Sequence, residues 1–234
     1  MNQLLDPPSF LKRLRSVGMT RYHDKHPYHV AMNEGKLSQD QVKGWIVNRF
    51  YYQRNIPIKD AALISNCPIR EVRRLWLHRI SDHDGQKEGE GGIENWLRLG
   101  EAAGISREDL WSAKGLLPKA KVAVDSYVHF VRTQPWPVGI ASSLTELFAP
   151  DLMKERIKAF EKYYTWIKPF GLDYFKSRVT QAKADSDQGL ELVFKYCDTR
   201  ELQEEAVKAL QFKCGLLWDL LDAMAEAYSK NLKP

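Results

Sequence analysis

Cysteine is scarce: Cys67, Cys197 and Cys214 are the only three in 234 residues, an odd number with no CxxC pair. That excludes a disulfide framework and suits free thiols in a reducing compartment. No run of 18 apolar residues occurs, so no membrane-spanning helix is expected. The opening Met-Asn-Gln-Leu-Leu-Asp-Pro-Pro has neither a basic start nor an apolar core, so no secretory leader is expected. Blocks of five like charges are missing as well. The net charge of +5 is mild and evenly spread, which suits anionic ligands and argues against nucleic acid. Period-2 alternation, internal repeats and low-complexity segments are not found. The expectation is a cytoplasmic protein with no membrane or nucleic-acid partner.

Catalytic signatures are equally sparse. Residues 85–92 lack the Gly-Lys-Ser/Thr ending of a phosphate loop. Ser142 and Ser143 lie in no G-x-S-x-G context, and the cysteines have no neighbouring histidine. No HExxH or paired ExxH motif is present. His23, His26 and His29 resemble a ligand set, but Pro27 biases His26 away from helical geometry, so three imidazoles are not expected on one face. His83 with Asp82 and Asp84 offers metal-type donors, yet helix-end capping explains them as well, and no metal is expected.

What the chain has is apolar and aromatic: 44% hydrophobic residues, including seven Trp, ten Tyr and nine Phe, enough for a sizeable core and an aromatic pocket. The spacing predicts helices over 9–17, over 22–33 with an interruption at Pro27, and from a Ser38 cap to a break at Pro57. Further helices are expected over 60–66, 69–83, 94–103, 106–111, 119–132, 140–149, 151–164, 173–185, 187–197 and 201–228, with 85–92 a flexible connection. This is an all-α pattern of seven or more helices in one domain, 1–234.

Several helical stripes carry the wrong residues for a core. One runs Val42, Trp45, Ile46, Arg49, Tyr52, Gln53, Ile56, with Arg49 at its centre. A buried guanidinium needs an anion, either a carboxylate from another helix or an acidic ligand. The last helix repeats the pattern with Lys213 among Ala206, Leu210, Leu217, Leu220 and Met224, although lysine can also snorkel to the surface. Arg79 and His83 share one helical face, and Tyr174 and Arg178 another, while Lys59 stands just beyond Pro57. If these meet in one cavity, its ligand carries several negative charges, and the histidine equips it for proton transfer.

Longer motifs now carry a resemblance. Arg49-Phe-Tyr-Tyr-Gln53, Ile56-Pro-Ile-Lys-Asp-Ala61, Asn66-Cys-Pro68, Asp82-His-Asp-Gly85 and Gly91-Gly-Ile-Glu-Asn-Trp-Leu-Arg-Leu-Gly-Glu101 are similar to stretches of the pyrroloquinoline-quinone biosynthesis protein C family. So are Ser142-Ser-Leu-Thr-Glu-Leu-Phe-Ala-Pro150, Leu210-Gln-Phe-Lys213, His26-Pro-Tyr-His29 and Leu221-Asp-Ala-Met224. The resemblance implies a seven-helix, heme-oxygenase-like fold shared with thiaminase II, and a homodimer. It implies the last step of cofactor synthesis: ring closure and multi-electron oxidation of a tricarboxylate quinone precursor to pyrroloquinoline quinone. Dioxygen is the co-substrate, hydrogen peroxide is released, and neither metal nor organic cofactor is used. It implies catalytic parts for His83 (the base), for Tyr174 and Arg178 (the oxygen site) and for Arg156. Contacts to the ligand are implied for Tyr22, His23, Arg49, Gln53, Lys59, Arg79, Tyr127, Glu146, Met153 and Lys213.

One position departs. Three residues after Pro150 the family typically has a histidine of the oxygen site, and here Met153 stands there. A thioether cannot donate a hydrogen bond to dioxygen or peroxide. Met153 also continues an apolar stripe with Ile157, Phe160 and Tyr164. The alternatives are a binding protein of the same fold, a metal-dependent oxygenase on the same scaffold, or a thiaminase-like hydrolase using a thiol.

Overall fold

The computed structural model describes residues 3–228, and residues 1–2 and 229–234 of the expected 1–234 domain lie outside the described residues. Among the described residues eleven α-helices occur and no strand. They are α1 (Pro7–Arg21), α2 (Pro27–Asn33), α3 (Gln39–Asn66), α4 (Arg70–Asp84), α5 (Gly91–Ala102) and α6 (Arg107–Trp111). Then follow α7 (Pro118–Thr133), α8 (Trp136–Ser142), α9 (Ala149–Tyr163), α10 (Asp173–Tyr196) and α11 (Arg200–Tyr228). No described helix is long and apolar enough to cross a membrane.

The helix starts obey local chemistry. Ser38 accepts from the Gln41 backbone N–H while the Gln41 side chain accepts from the Ser38 N–H, a complete capping box for α3. His26 accepts from the Tyr28 N–H and caps α2, with Pro27 in the first turn where its missing donor costs nothing. Three expectations fail. The 28-residue α3 runs straight through Pro57, which is buried. An internal proline forfeits one helical bond and costs roughly 3 kcal/mol locally, but this helix is clamped by α4, α5, α7 and α11 along its length. Residues 173–185 and 187–197 fuse into α10, since no proline stands between them and Gly189 packs against Leu144. Residues 140–149 are not one helix: α8 ends at Ser142 and a 3-10 segment, Ser143–Phe148, leads into α9. Residues 85–92 form a closed turn in which Gly85 and Gly91 both have positive φ. A Cβ at Gly91 would come within 2.5 Å of the Gly85 backbone nitrogen.

Two hydrophobic clusters share the long helices. One gathers Trp45, Ile46, Trp96, Phe160, Phe175 and Met224. The other gathers Phe10, Leu14, Leu63, Trp76, Ile140 and Leu210. Thus α3 gives its first half to one cluster and its last turns to the other, and α11 does the reverse. Tyr52 and Met153 pack against both. The polar residues in the middle of α3 and α11 lie at that boundary, which is where the cavity forms.

Candidate active site

The cavity is tight, about 70 Å³, well below the few hundred Å³ of an ordinary small-molecule site. A ligand of more than a few atoms has to push side chains aside. From α3 come Arg49, Tyr52, Ile56 and Lys59; from α4, Arg79 and His83; from α10, Tyr174 and Arg178. Tyr22 and His23 enter between α1 and α2, Tyr127 from α7 and Met153 from α9. The 3-10 segment after α8 supplies Ser143, Thr145 and Glu146, which a continuous helix there would have distributed around its axis. Gln53, Arg156 and Lys213, also expected at the site, stand behind the wall. Gln53 accepts the Tyr174 hydroxyl at 3.0 Å, Lys213 donates to the Tyr52 hydroxyl at 2.7 Å, and Arg156 lies over the Trp45 ring at 4.9 Å.

One group of cations is internally compensated. Lys59 Nζ lies 2.5 Å from Asp60 Oδ1, which also accepts from Trp76 Nε1 at 2.7 Å. Arg79 contacts Glu146 at 2.6 Å, Asp185 at 3.3 Å and Asp60 at 3.8 Å. Arg178 reaches Glu146 at 3.1 Å and Asp185 at 3.2 Å. Three cations thus meet three carboxylates. Burial works against ionisation of Asp60, but Lys59 and Arg79 outweigh it and hold the carboxyl below its usual range. Burial likewise opposes the Glu146 charge, and Arg79 and Arg178 reverse that effect. Burial and Glu146 together push Asp185 up. For Arg79 and Arg178 the alternative of an internal carboxylate partner is the one realised.

The second group has no carboxylate. Arg49, expected to be buried, is only partly so; among the described residues it forms no ion pair, and its guanidinium stacks on the Tyr52 ring at 3.9 Å. Arg156 donates to Asn33 Oδ1 at 3.3 Å, and its Nη2 is buried with no partner. Burial and then Arg49 bring Arg156 down to about 10. The Lys213 amine sits 3.4 Å from the Tyr127 ring centre and 4.0 Å from that of Tyr52, between two nearly parallel rings. Burial, then Arg49 and Lys59, push Lys213 well below the ordinary lysine value. An anion is what this end of the cavity lacks.

His83 is prepared as a proton acceptor. Its Nδ1–H donates to the Arg79 carbonyl at 3.0 Å, which leaves the Nε2 lone pair unprotonated. Burial and then Arg178 bring it down to about 4, so the ring is neutral at pH 7. Among the described residues the donor atoms of His83, Asp82 and Asp84 do not converge on one point. The metal-type donors that do approach one another, His78, Asp82 and Asp185, lie within 4.8 Å, but Asp185 is engaged by His78, Arg79 and Arg178. His23 and His29 meet at 3.0 Å, but the three imidazoles do not share one face, as the break at Pro27 predicts. His26 does stand apart, bonded to Asp222 at 3.0 Å.

The sequence pattern assigned no site role to Tyr52, Asp60 or Asp185, and Ser143 and His29 were weighed only as a nucleophile and a metal ligand. Tyr52 belonged to the Arg49 stripe, and its neighbours on that stripe were signal enough. Asp60 follows Lys59 in a helix buried nearly all round, a second clue. Asp185 is seven residues after Arg178, two turns along the same face, but only if α10 is continuous. The 3-10 segment that delivers Ser143 had no signal.

The TENA/THI-4/PQQC family profile matches residues 11–223. The chain is 51% identical to pyrroloquinoline-quinone synthase of Cronobacter sakazakii, over 99% of this chain and 92% of that protein. It is 49% identical to pyrroloquinoline-quinone synthase of Pseudomonas aeruginosa, over 98% of this chain and 92% of that protein. Among solved structures, a domain of unknown function with a heme oxygenase-like fold from Shewanella denitrificans superimposes with a TM-score of 0.79 at 14% identity, covering 97% of this chain and 94% of that one. A TenA homolog from Pseudomonas syringae gives 0.74 at 12% identity, covering 97% and 98%. At those identities the structures speak for the heme-oxygenase-like fold alone.

Proposed function

The chain belongs to the TENA/THI-4/PQQC family, and from that membership we propose that it is a pyrroloquinoline-quinone synthase. Its substrate is a tricarboxylate quinone precursor, which it closes into the final ring system and oxidises. Dioxygen accepts the electrons, and each two-electron oxidation yields hydrogen peroxide. The reading includes a homodimer, a cytoplasmic location, and no metal or organic cofactor.

The observation that carries it is the uncompensated set Arg49, Arg156 and Lys213 beside a compensated one. Ligand carboxylates supply the missing charge, and the buried Arg156 and Lys213 recover in the complex what their burial costs in the free protein. The Nε2 lone pair of His83 takes the proton from carbon. A tricarboxylate beside the ring favours the resulting imidazolium, offsetting Arg178, so the base strengthens when the substrate is bound. Tyr174 and Arg178 steady the negative charge that grows on oxygen as electrons arrive.

Met153 favours a second reading, a binding protein of the same fold with impaired oxygen steps. It lines the cavity and packs against both hydrophobic clusters, and it offers no donor. One experiment decides between them: mix the protein with the ring-open precursor without oxygen, then admit oxygen, following absorbance and oxygen uptake. A synthase shows an anaerobic spectral change, then oxygen consumption and quinone product. Met153→His accelerates the oxygen-dependent phase if the missing donor limits it. Binding spectra with no uptake in either protein overturn the synthase.

A further inference from the structure

We propose that His29 is a positioning residue that locks His23 in the tautomer carrying its proton on Nε2, so that His23 offers the cavity a neutral N–H donor for a ligand oxygen. The claim rests on the reading above only for the identity of that ligand. Nδ1 of His29 lies 2.9 Å from the His23 carbonyl oxygen and 3.0 Å from Nδ1 of His23. A carbonyl oxygen only accepts, so Nδ1 of His29 carries the hydrogen. Were Nδ1 of His23 protonated too, two hydrogens would face each other across 3.0 Å. Nδ1 of His23 is therefore the bare nitrogen, and in a neutral ring the proton sits on Nε2. Both rings are held neutral: burial, then Arg49 for His23 and Arg156 for His29, depress their basicity.

The 3-10 turn His23–Lys25 makes the contact, since it folds the backbone so that residues 23 and 29 meet around the α2 cap. His29 is buried, is not in the wall of this cavity, and leaves its own Nε2 buried without a partner. An apolar residue would fill the place without that penalty. The cavity then has two histidines in opposite tautomers. His83, with Nδ1–H on the Arg79 carbonyl, presents a lone pair at Nε2; His23, with Nδ1 accepting, presents a hydrogen. Only the first can take a proton from carbon, and only the second can hold an anionic oxygen without itself being charged.

The test is ¹⁵N NMR of the full chain with labelled histidine, on wild type, His29→Leu and His29→Asn, with pyrroloquinoline quinone titrated in afterwards. Without ligand, wild-type His23 shows an unprotonated Nδ1 and a proton-coupled Nε2. In His29→Leu the two tautomers mix, and affinity for the quinone falls roughly three- to tenfold. His29→Asn places an amide N–H near the lost Nδ1 and restores both tautomer and affinity. A protonated Nδ1 on wild-type His23, or an unchanged tautomer in His29→Leu, overturns the proposal. Equal affinity losses in both variants reduce His29 to packing. If His29→Leu does not fold, wild type and His29→Asn still decide the tautomer. Failure of wild type to bind the quinone removes the ligand reading while the ligand-free spectra stand.

Discussion

Two sets of three cations, one lining the cavity and the other on or just behind its wall, are compensated on opposite terms. Lys59, Arg79 and Arg178 meet Asp60, Glu146 and Asp185 and form a neutral network. Arg49, Arg156 and Lys213 meet aromatic faces, an amide oxygen and a phenol, none of which carries a full negative charge. The first set is part of the protein's own architecture. The second carries an electrostatic cost that the proposed tricarboxylate ligand would remove. Mutations in the balanced set should therefore show up in folding, and mutations in the unbalanced set in binding.

The largest effect should come from Asp60→Asn. It keeps the shape and an acceptor for Trp76, but leaves Lys59 and Arg79 without their shared carboxylate. Breaking one partner out of a buried pair costs about 3–5 kcal/mol. Urea denaturation measures it, and a variant as stable as wild type would dissolve the distinction between the two sets.

Acid should separate them next. His83 drops from 6.5 to about 4 on folding, so the unfolded chain binds the proton more tightly. Its stabilising contribution is complete above about 6.5 and is lost as pH falls through about 4. That is about 3 kcal/mol of pH-dependent stability. His83→Asn should flatten the stability curve between pH 7 and 4 by that amount, leaving the share of His23 and His29. A curve parallel to wild type would mean that His83 is not buried neutral.

Arg49→Ala tests the unbalanced set directly. It removes one of three mutually repelling cations, so the fold should be at least as stable as before. Affinity for pyrroloquinoline quinone should fall by about 1.5–3 kcal/mol, the worth of a charge-assisted bond. A variant that melts markedly lower but binds nearly as well would place Arg49 with the structural cations.

The unbalanced set was the more legible in sequence. Arg49 and Lys213 each interrupt an otherwise apolar stripe on one helix, and periodicity alone exposes them. The balanced set depends on partners that stripe periodicity does not pair: Arg79 with Glu146 far along the chain, and Arg178 with Asp185 across a helix that read as two. The cationic members were visible; of their carboxylates, Glu146 came only with the family resemblance, and Asp60 and Asp185 were missed. Proline misled for a related reason: Pro57 is a local signal of a break, and α4, α5, α7 and α11 packed around α3 overrule it. The all-helical class survived such errors because it rests on many stripes. Helix boundaries and the 3-10 segments at His23 and Ser143 did not, and those segments bring His23 to His29 and Ser143 to Lys59.

The smallest effect, and the finest test of the second set, belongs to Tyr52→Phe. The Tyr52 hydroxyl accepts from Lys213 Nζ at 2.7 Å, while its ring lies under both Arg49 and Lys213. Phenylalanine keeps the ring and its stacking, and removes only the acceptor. The buried amine then loses a hydrogen bond worth about 1 kcal/mol, and the free protein should be less stable by that amount. If Lys213 leaves the hydroxyl to meet a ligand carboxylate, the complex never contained that bond and loses nothing. Destabilising the free state alone tightens binding, so the affinity for pyrroloquinoline quinone should rise by up to about fivefold. Calorimetric titration of wild type and Tyr52→Phe measures the difference. A fall in affinity would show that the hydroxyl itself contacts the ligand, and an unchanged affinity with lower stability would leave Lys213 on Tyr52 in both states, moving it out of the ligand-binding set.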